Sequence, residues 1–171
     1  FAPVFGGGLE DLSINLGRVS MKNAVNLKSI KSSSCAACLA TSIILPPNLE
    51  SIGQSAFHHC SNLKTIIIPS SVTSIGENAF AECSSLNNIV FEHNDAQLSN
   101  LHLGKNVFSN TACFRKDFIK REQYSGEFNT RDQCVSGNNE CDDTEKVVRY
   151  IRENCTPPTT PSLTTQPPTT P

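Results

Sequence analysis

The chain has 171 residues, the size of one ordinary domain, and only 18% of them are charged against roughly 25% in typical globular chains. Fourteen Lys and Arg against sixteen Asp and Glu leave a net charge of -2, which offers no broad positive field to phosphate backbones or anionic lipid and excludes nucleic acid as a partner class. No apolar run approaches the roughly 18 to 20 residues that a membrane-spanning helix needs.

The sequence opens on Phe1 with no basic stretch followed by an apolar one, so the expectation is either a signal peptide already removed or a piece of a longer chain. Gly6-Gly7-Gly8 follow no convincing strand and lack a Lys, so they form no phosphate loop. Residues 1–26 read as a degenerate first repeat or cap.

From 27 to 112 a repeat organises the chain. A shift of 23 residues lays Ile43, Ile44, Leu45 and Pro46 on Ile66, Ile67, Ile68 and Pro69, then Ile52, Gly53, Ala56, Phe57 and Cys60 on Ile75, Gly76, Ala79, Phe80 and Cys83. A second shift lays Leu63, Ile66, Ile67 and Ile68 on Leu86, Ile89, Val90 and Phe91; five extra residues then precede Leu103, Gly104, Val107 and Phe108. Upstream, a step of 22 maps Asn26, Leu27, Ser29, Ile30 and Cys38 onto Asn48, Leu49, Ser51, Ile52 and Cys60. A period of about 20 to 29 residues is that of leucine-rich solenoids.

Within one unit, Leu63 to Ile68 reads as a strand with Leu63, Ile66 and Ile68 facing one way and Thr65 and Ile67 the other. Pro69 ends it, since proline donates nothing to a ladder. On the return path Val72, Ile75, Ala79, Phe80 and Cys83 fill the inside of a coil, as Ile52, Phe57 and Cys60 do one unit earlier. Gly53 and Gly76 are expected where the backbone needs positive φ or a close approach. Five or six buried side chains at about 1.5–3 kcal/mol each only match a backbone entropy of about 1–2 kcal/mol per residue. A coil therefore depends on its neighbours and on caps at both ends.

The units SIILPPNLESIGQSAFHHCSNL and TIIIPSSVTSIGENAFAECSSL resemble the BspA-type, or treponemal-type, leucine-rich repeat, with a strand ending in Leu-Pro, then Ile-Gly, Ala-Phe and Cys. The resemblance implies a right-handed solenoid, with short parallel strands on the concave face and an irregular or short-helical convex side. It also implies a surface-exposed protein of the kind found in oral bacteria and mucosal protists, several of them adhesive. The pattern is broken by Cys35 in the Phe position, Glu92 in the Pro position and Thr111 in the Cys position, as end units tend to show.

Cys38, Cys60 and Cys83 recur at the repeat and are expected to project into the core as small hydrophobes. Coils about 4.8 Å apart permit a bridge between two of them without requiring one. Cys35-x-x-Cys38 with His58, His59 and Cys60 has permissible zinc-ligand types, yet a second C-x-x-C or H-x-x-x-H is missing, so no metal is assigned. Cys113, Cys134, Cys141 and Cys155 lie in residues 113–155, where apolar content is low. Two disulfides are expected there, with all three pairings open. Asp142-x-x-Glu145 resembles a capping box for a helix from Asp143 to Asn154. Its stripe of Val147, Val148 and Ile151, with Glu145 and Arg149 four apart, is expected to close the open end of the solenoid. Asn154-Cys155-Thr156 is the chain's N-glycosylation sequon, whose use competes with oxidation of Cys155. Residues 156–171 contain six Pro and seven Thr and read as a disordered, polyproline-like stalk of the O-glycosylated kind, with an anchor or further domain expected beyond Pro171.

Catalytic chemistry finds no footing. His58 and His59 fall where the next unit carries Ala81 and Glu82, which makes them turn residues. His93 and His102 flank the expansion from Glu92 to Ser99 with its Asp95, but no motif sets a nucleophile beside them. No enzyme activity and no cofactor are expected. The outward column Ile44, Ile67 and Val90, beside Ser42, Thr65 and Asn88, is the expected ligand-binding surface, although β-branched residues also sit on strands simply because they suit them. The expectation is a secreted or cell-surface module that binds a protein or glycoprotein on a host cell or matrix. The alternative is a spacer or accessory domain of a larger exported enzyme.

Overall fold

The computed structural model describes residues 13–15, 17–114 and 144–155. The chain runs through β1 (Ser13–Asn15), β2 (Arg18–Ser20), β3 (Ser29–Ile30), β4 (Ser42–Ile44), β5 (Ser51–Ile52), β6 (Thr65–Ile68), β7 (Ser74–Ile75), β8 (Asn88–Phe91), α1 (Asp95–Leu98), β9 (His102–Leu103) and α2 (Thr144–Asn154). The strands form the expected stacked solenoid. The long sheet has the order β1-β2-β4-β6-β8 and the short one β3-β5-β7-β9. Every pairing is parallel except that of β1, which folds back on β2 as an antiparallel hairpin.

The sequence offset is the sheet register. Ser42 pairs with Thr65 and Thr65 with Asn88; Ile44 pairs with Ile67 and Ile67 with Val90. The five extra residues leave this register intact, because α1 takes them up between β8 and β9. Asn94 caps α1 by accepting from the Gln97 backbone, and the Gln97 side chain accepts from the Asn94 backbone, both at 2.9 Å. The chain then rejoins the short sheet with Ser74 opposite His102. The short sheet itself is an addition to the sequence expectation, which gave the return path no strands. Its rungs are two residues long, with a single buried Ile in β3, β5 and β7, too short for alternation to be visible.

A third run of bonds ties the coils together where no strand is assigned. The N–H groups of Ser33, Cys35 and Ala37 donate to the carbonyls of Gln54, Ala56 and His58. Ser55, Phe57 and His59 donate in turn to Glu77, Ala79 and Ala81, and Asn78, Phe80 and Glu82 to Lys105, Val107 and Ser109. To aim these donors the backbone enters the left-handed region at Ser33, Ala37, Ser55, His59, Asn78 and Glu82, with φ between 54° and 61°, and the same turn recurs at Asn106 and Asn110 one coil further on. None of these is glycine, so at the six donors the inter-coil bonds hold a conformation that costs an L-residue about 1–2 kcal/mol.

The glycines serve the other purpose named for them. Positive φ is confined to Gly17 among the described glycines. At Gly53 an added Cβ would lie 2.5 Å from Ser32 N, and at Gly76 2.4 Å from Gln54 N. These positions let one coil's backbone lie against the next.

Phe57, Phe80 and Phe108 stack along the axis with centroids 5.2 and 5.5 Å apart and planes within 10° and 8° of parallel. Phe114 continues the stack from Phe108 at 6.2 Å, and Tyr150 of α2 follows at 5.1 Å. Ile52, Ile66, Ile75, Ile89, Cys60 and Cys83 are buried around this column. Cys38 departs from expectation. It stays half-buried against the core while Cys35, in the Phe position, is buried.

α2, described from Thr144, closes the far end. Val148 and Ile151 are fully buried, with Val147 packed partly against the core. The Cys155 carbonyl accepts from Ile89 N at 3.0 Å, and Leu86 O accepts from Cys113 N at 2.9 Å. Cys113 and Cys155 are joined by a disulfide with Cα atoms 5.5 Å apart. Arg152 donates to Asp95 Oδ1 at 2.8 Å and to the His93 carbonyl, tying α2 to α1. Glu145 and Arg149 form the i,i+4 ion pair at 3.1 Å. Cys134, Cys141, Asp142, Gly6-Gly7-Gly8 and the Pro/Thr stretch lie outside the described residues.

Phe80→Ala, in the middle of the ring column, is expected to lower unfolding free energy by about 3–5 kcal/mol, read by urea denaturation. Gly76→Ala is expected to cost at least about 1–3 kcal/mol despite its small size, because the group it meets is backbone. The same substitution at a glycine in an open turn would be mild, so a neutral Gly76→Ala refutes the close-approach argument.

Candidate functional site

The outward face of the long sheet consists of two side-chain columns. One holds Ser20, Ile44, Ile67 and Val90, the other Arg18, Ser42, Thr65 and Asn88, each aligned by the strand register. Alternation in β4, β6 and β8 turns Ile43, Ile66 and Ile89 inward and their neighbours out. Ile44 is 39% and Ile67 46% exposed, whereas Val90 is half-buried. Ser42, Thr65 and Asn88 are half-buried beside them. The Ser42 Oγ and Asn88 Oδ1 atoms are already shut off from solvent without a hydrogen-bond partner. Covering this face therefore adds little polar desolvation at those two atoms, the usual cost of docking on a polar flank.

Sequence reading missed the first rung of this face. Arg18 and Ser20 belong to it through the pairing of β2 with β4, but β2 precedes the clear repeats and only the alternation of Arg18, Val19 and Ser20 hints at it. Leu39 was missed as well. It is 76% exposed in the turn before β4, where the following coils carry Ser61 and Ser84.

The remaining candidates do not converge on chemistry. His58 and His59 stack edge to face at 4.1 Å; burial and the neighbouring His59 hold His58 below the usual imidazole range, with Glu82 acting the other way. His93 is buried with Nε2 2.7 Å from Val72 O, so it donates there, and Asp95 is drawn to Arg152. His102 lies exposed on β9. His93 and Asp95 thus serve the docking of α2 through Arg152, and His102 sits apart from them on the short sheet, so the three form no common acid and base site. Among the described residues no three His, Cys, Asp or Glu side chains converge as a metal ion requires. Asn154 is exposed at the end of α2 with Nδ2 donating to Tyr150 O at 2.9 Å, immediately before the bonded Cys155. No helix among the described residues is long and apolar enough to cross a membrane.

The BspA type leucine rich repeat region matches residues 13–124 in six copies, beyond both ends of the span where the repeats are plain by eye. The solved leucine-rich repeat protein of T. pallidum is similar at 22% identity with a TM-score of 0.36. The likeness covers 60% of this chain and 58% of that one, so the chain spans less than two thirds of that protein. No curated protein matches. With its coils in register and the family's repeat running through most of the sequence, the chain belongs to the BspA-type leucine-rich repeat family.

Proposed function

We propose that this leucine-rich repeat module is a non-enzymatic adhesion domain, secreted or displayed at the cell surface, which takes a protein or glycoprotein ligand of a host cell or matrix on Ser42, Ile44, Thr65, Ile67, Asn88 and Val90. The observation that carries the reading is the exposure of Ile44 and Ile67 on adjacent rungs at 39% and 46%, in a family of modules that generally bind proteins. Aliphatic side chains left in water at one-rung spacing give a partner apolar area to cover, flanked by the half-buried column of Ser42, Thr65 and Asn88. The Cys113–Cys155 disulfide supports an oxidising compartment.

In this reading residues 1–26 cap the solenoid, 27–112 form the recognition array, 113–155 close it and 156–171 hold it away from whatever carries it. Asn154 is its glycan acceptor. Four rungs at about 4.8 Å spacing make a patch of a few hundred square ångströms, at the weak end of interface sizes. Repeated copies then supply avidity.

The Ile44→Asp, Ile67→Asp double variant is expected to keep the circular dichroism and melting profile of the parent, because both positions face solvent. Its binding to epithelial monolayers and to surfaces coated with fibronectin or laminin is expected to fall at least about tenfold. A folded double variant that binds as the parent does overturns the assignment of this face.

A further inference from the structure

The thiols of Cys38 and Cys60 meet at the junction of the first two coils, beside Cys35. Cys60 Sγ lies 3.1 Å from Cys38 Sγ and 3.1 Å from the Cys35 carbonyl oxygen. Cys38 and Cys60 are equivalent residues one coil apart, so their backbones lie about 4.8 Å from each other, within the Cα separation a disulfide spans. Cys83, the next equivalent, makes the same kind of carbonyl contact, to Phe57 O at 3.2 Å, so the contact of sulfur with sulfur is what sets the first junction apart. The exception has a cause in the sequence: where Phe57 and Phe80 stack, the first coil has Cys35, whose smaller side chain leaves room for sulfur to meet sulfur. Cys38 is half-buried while Cys35 and Cys60 are buried, so solvent reaches the cluster through Cys38.

We propose that Cys38 and Cys60 form a second disulfide in the oxidised protein, a covalent staple between the first and second coils. The oxidant is a low-molecular-weight disulfide of the glutathione class. The Cys38 thiol loses its proton to solvent, and the thiolate attacks one sulfur of the small disulfide. A mixed disulfide forms at Cys38 and one small thiolate leaves. Cys60, deprotonated in turn, attacks Cys38 Sγ and expels the second small thiolate, which takes up a proton, as the first does. Two protein thiols are oxidised to one disulfide, and one small disulfide is reduced to two thiols. Contact with Cys35 pulls the Cys38 thiol down, but contact with Cys60 and burial outweigh it, pushing the group up to about 11. Contacts with Cys38 and Cys60, with burial, push Cys35 up much further. The thiolate that begins the exchange is therefore scarce at neutral pH, and closure quickens as pH rises toward that value.

The sequence makes the pairing readable by mass spectrometry. Trypsin releases all three cysteines in one peptide, Ser32–Lys64, and cleavage after Glu50 separates Cys35 and Cys38 from Cys60. The full chain is equilibrated with reduced and oxidised glutathione, blocked with N-ethylmaleimide in acidic denaturant without reductant, and cut with trypsin and a Glu-specific protease. The expected product is Ser32–Glu50 linked to Ser51–Lys64, with one maleimide on Cys35. Three blocked cysteines, a Cys35–Cys38 bridge with Cys60 blocked, or a Cys35–Cys60 link located by fragmentation each overturn the proposal. Cys38→Ser is expected to lower the melting temperature of the oxidised protein by about 5–10 °C and to change the reduced protein little. An equal loss in both states means the side chain acts by packing alone, and that too overturns it.

Discussion

Adjacent coils touch through their backbones on three sides: the long sheet, the short sheet, and the run of donors from Ser33, Cys35 and Ala37 onward. A hydrogen bond fixes that separation near 4.8 Å, and the remaining choices are consequences. Nothing larger than a hydrogen fits at Gly53 or Gly76, where the next backbone lies within 3 Å of a would-be Cβ. Left-handed backbone at Asn78 or His59 is held because those residues' N–H groups are engaged by the neighbouring coil. The rings of Phe57, Phe80 and Phe108, at 5.2 and 5.5 Å, stack a little wider than the backbone rise.

A solenoid built this way has two unfinished ends, and each is closed by an imitation of a coil. At the first, β1 turns back on β2 and occupies the edge of the long sheet, removing a row of unpaired peptide groups. At the other, Phe114 and Tyr150 carry the ring column past Phe108, and the Cys155 carbonyl receives the Ile89 N–H. The Cys113–Cys155 bond holds that substitute in place.

Legibility tracked the length of the pattern. β4, β6 and β8 could be read because inward and outward residues alternate over three or four positions and recur after 23 residues. β5 and β7 could not, because two residues carry no alternation; their pairing is a property of the stack. The repeated glycines announced that a side chain was not tolerated, but could not say whether torsion or contact forbade it. The left-handed residues were invisible, since Ser, Ala, His, Glu and Asn have no shared signature. Equivalence at the repeat placed Cys38 in the core beside Cys60, but missed that the small Cys35, in a phenylalanine's position, changes what the first coil encloses. Ile44 and Ile67 were legible as outward residues by parity, whereas Leu39 has no periodic counterpart to reveal it. The family's repeats were plain in the central units; the face they present was readable only in part, because its first rung, Arg18 to Ser20, lies ahead of them.

The five-residue excess held in α1 shows how such an array accommodates unequal units. The helix lies outside both ladders, Leu98 alone of its residues is buried, and the strands before and after it keep their partners. Chain added at this corner thus changes the circumference of one turn without altering the pitch. The loop between β8 and β9 is for that reason the natural place to graft a foreign peptide or epitope. Removing the helix, by contrast, would strip Arg152 of its Asp95 anchor and loosen the closing segment from the stack it terminates.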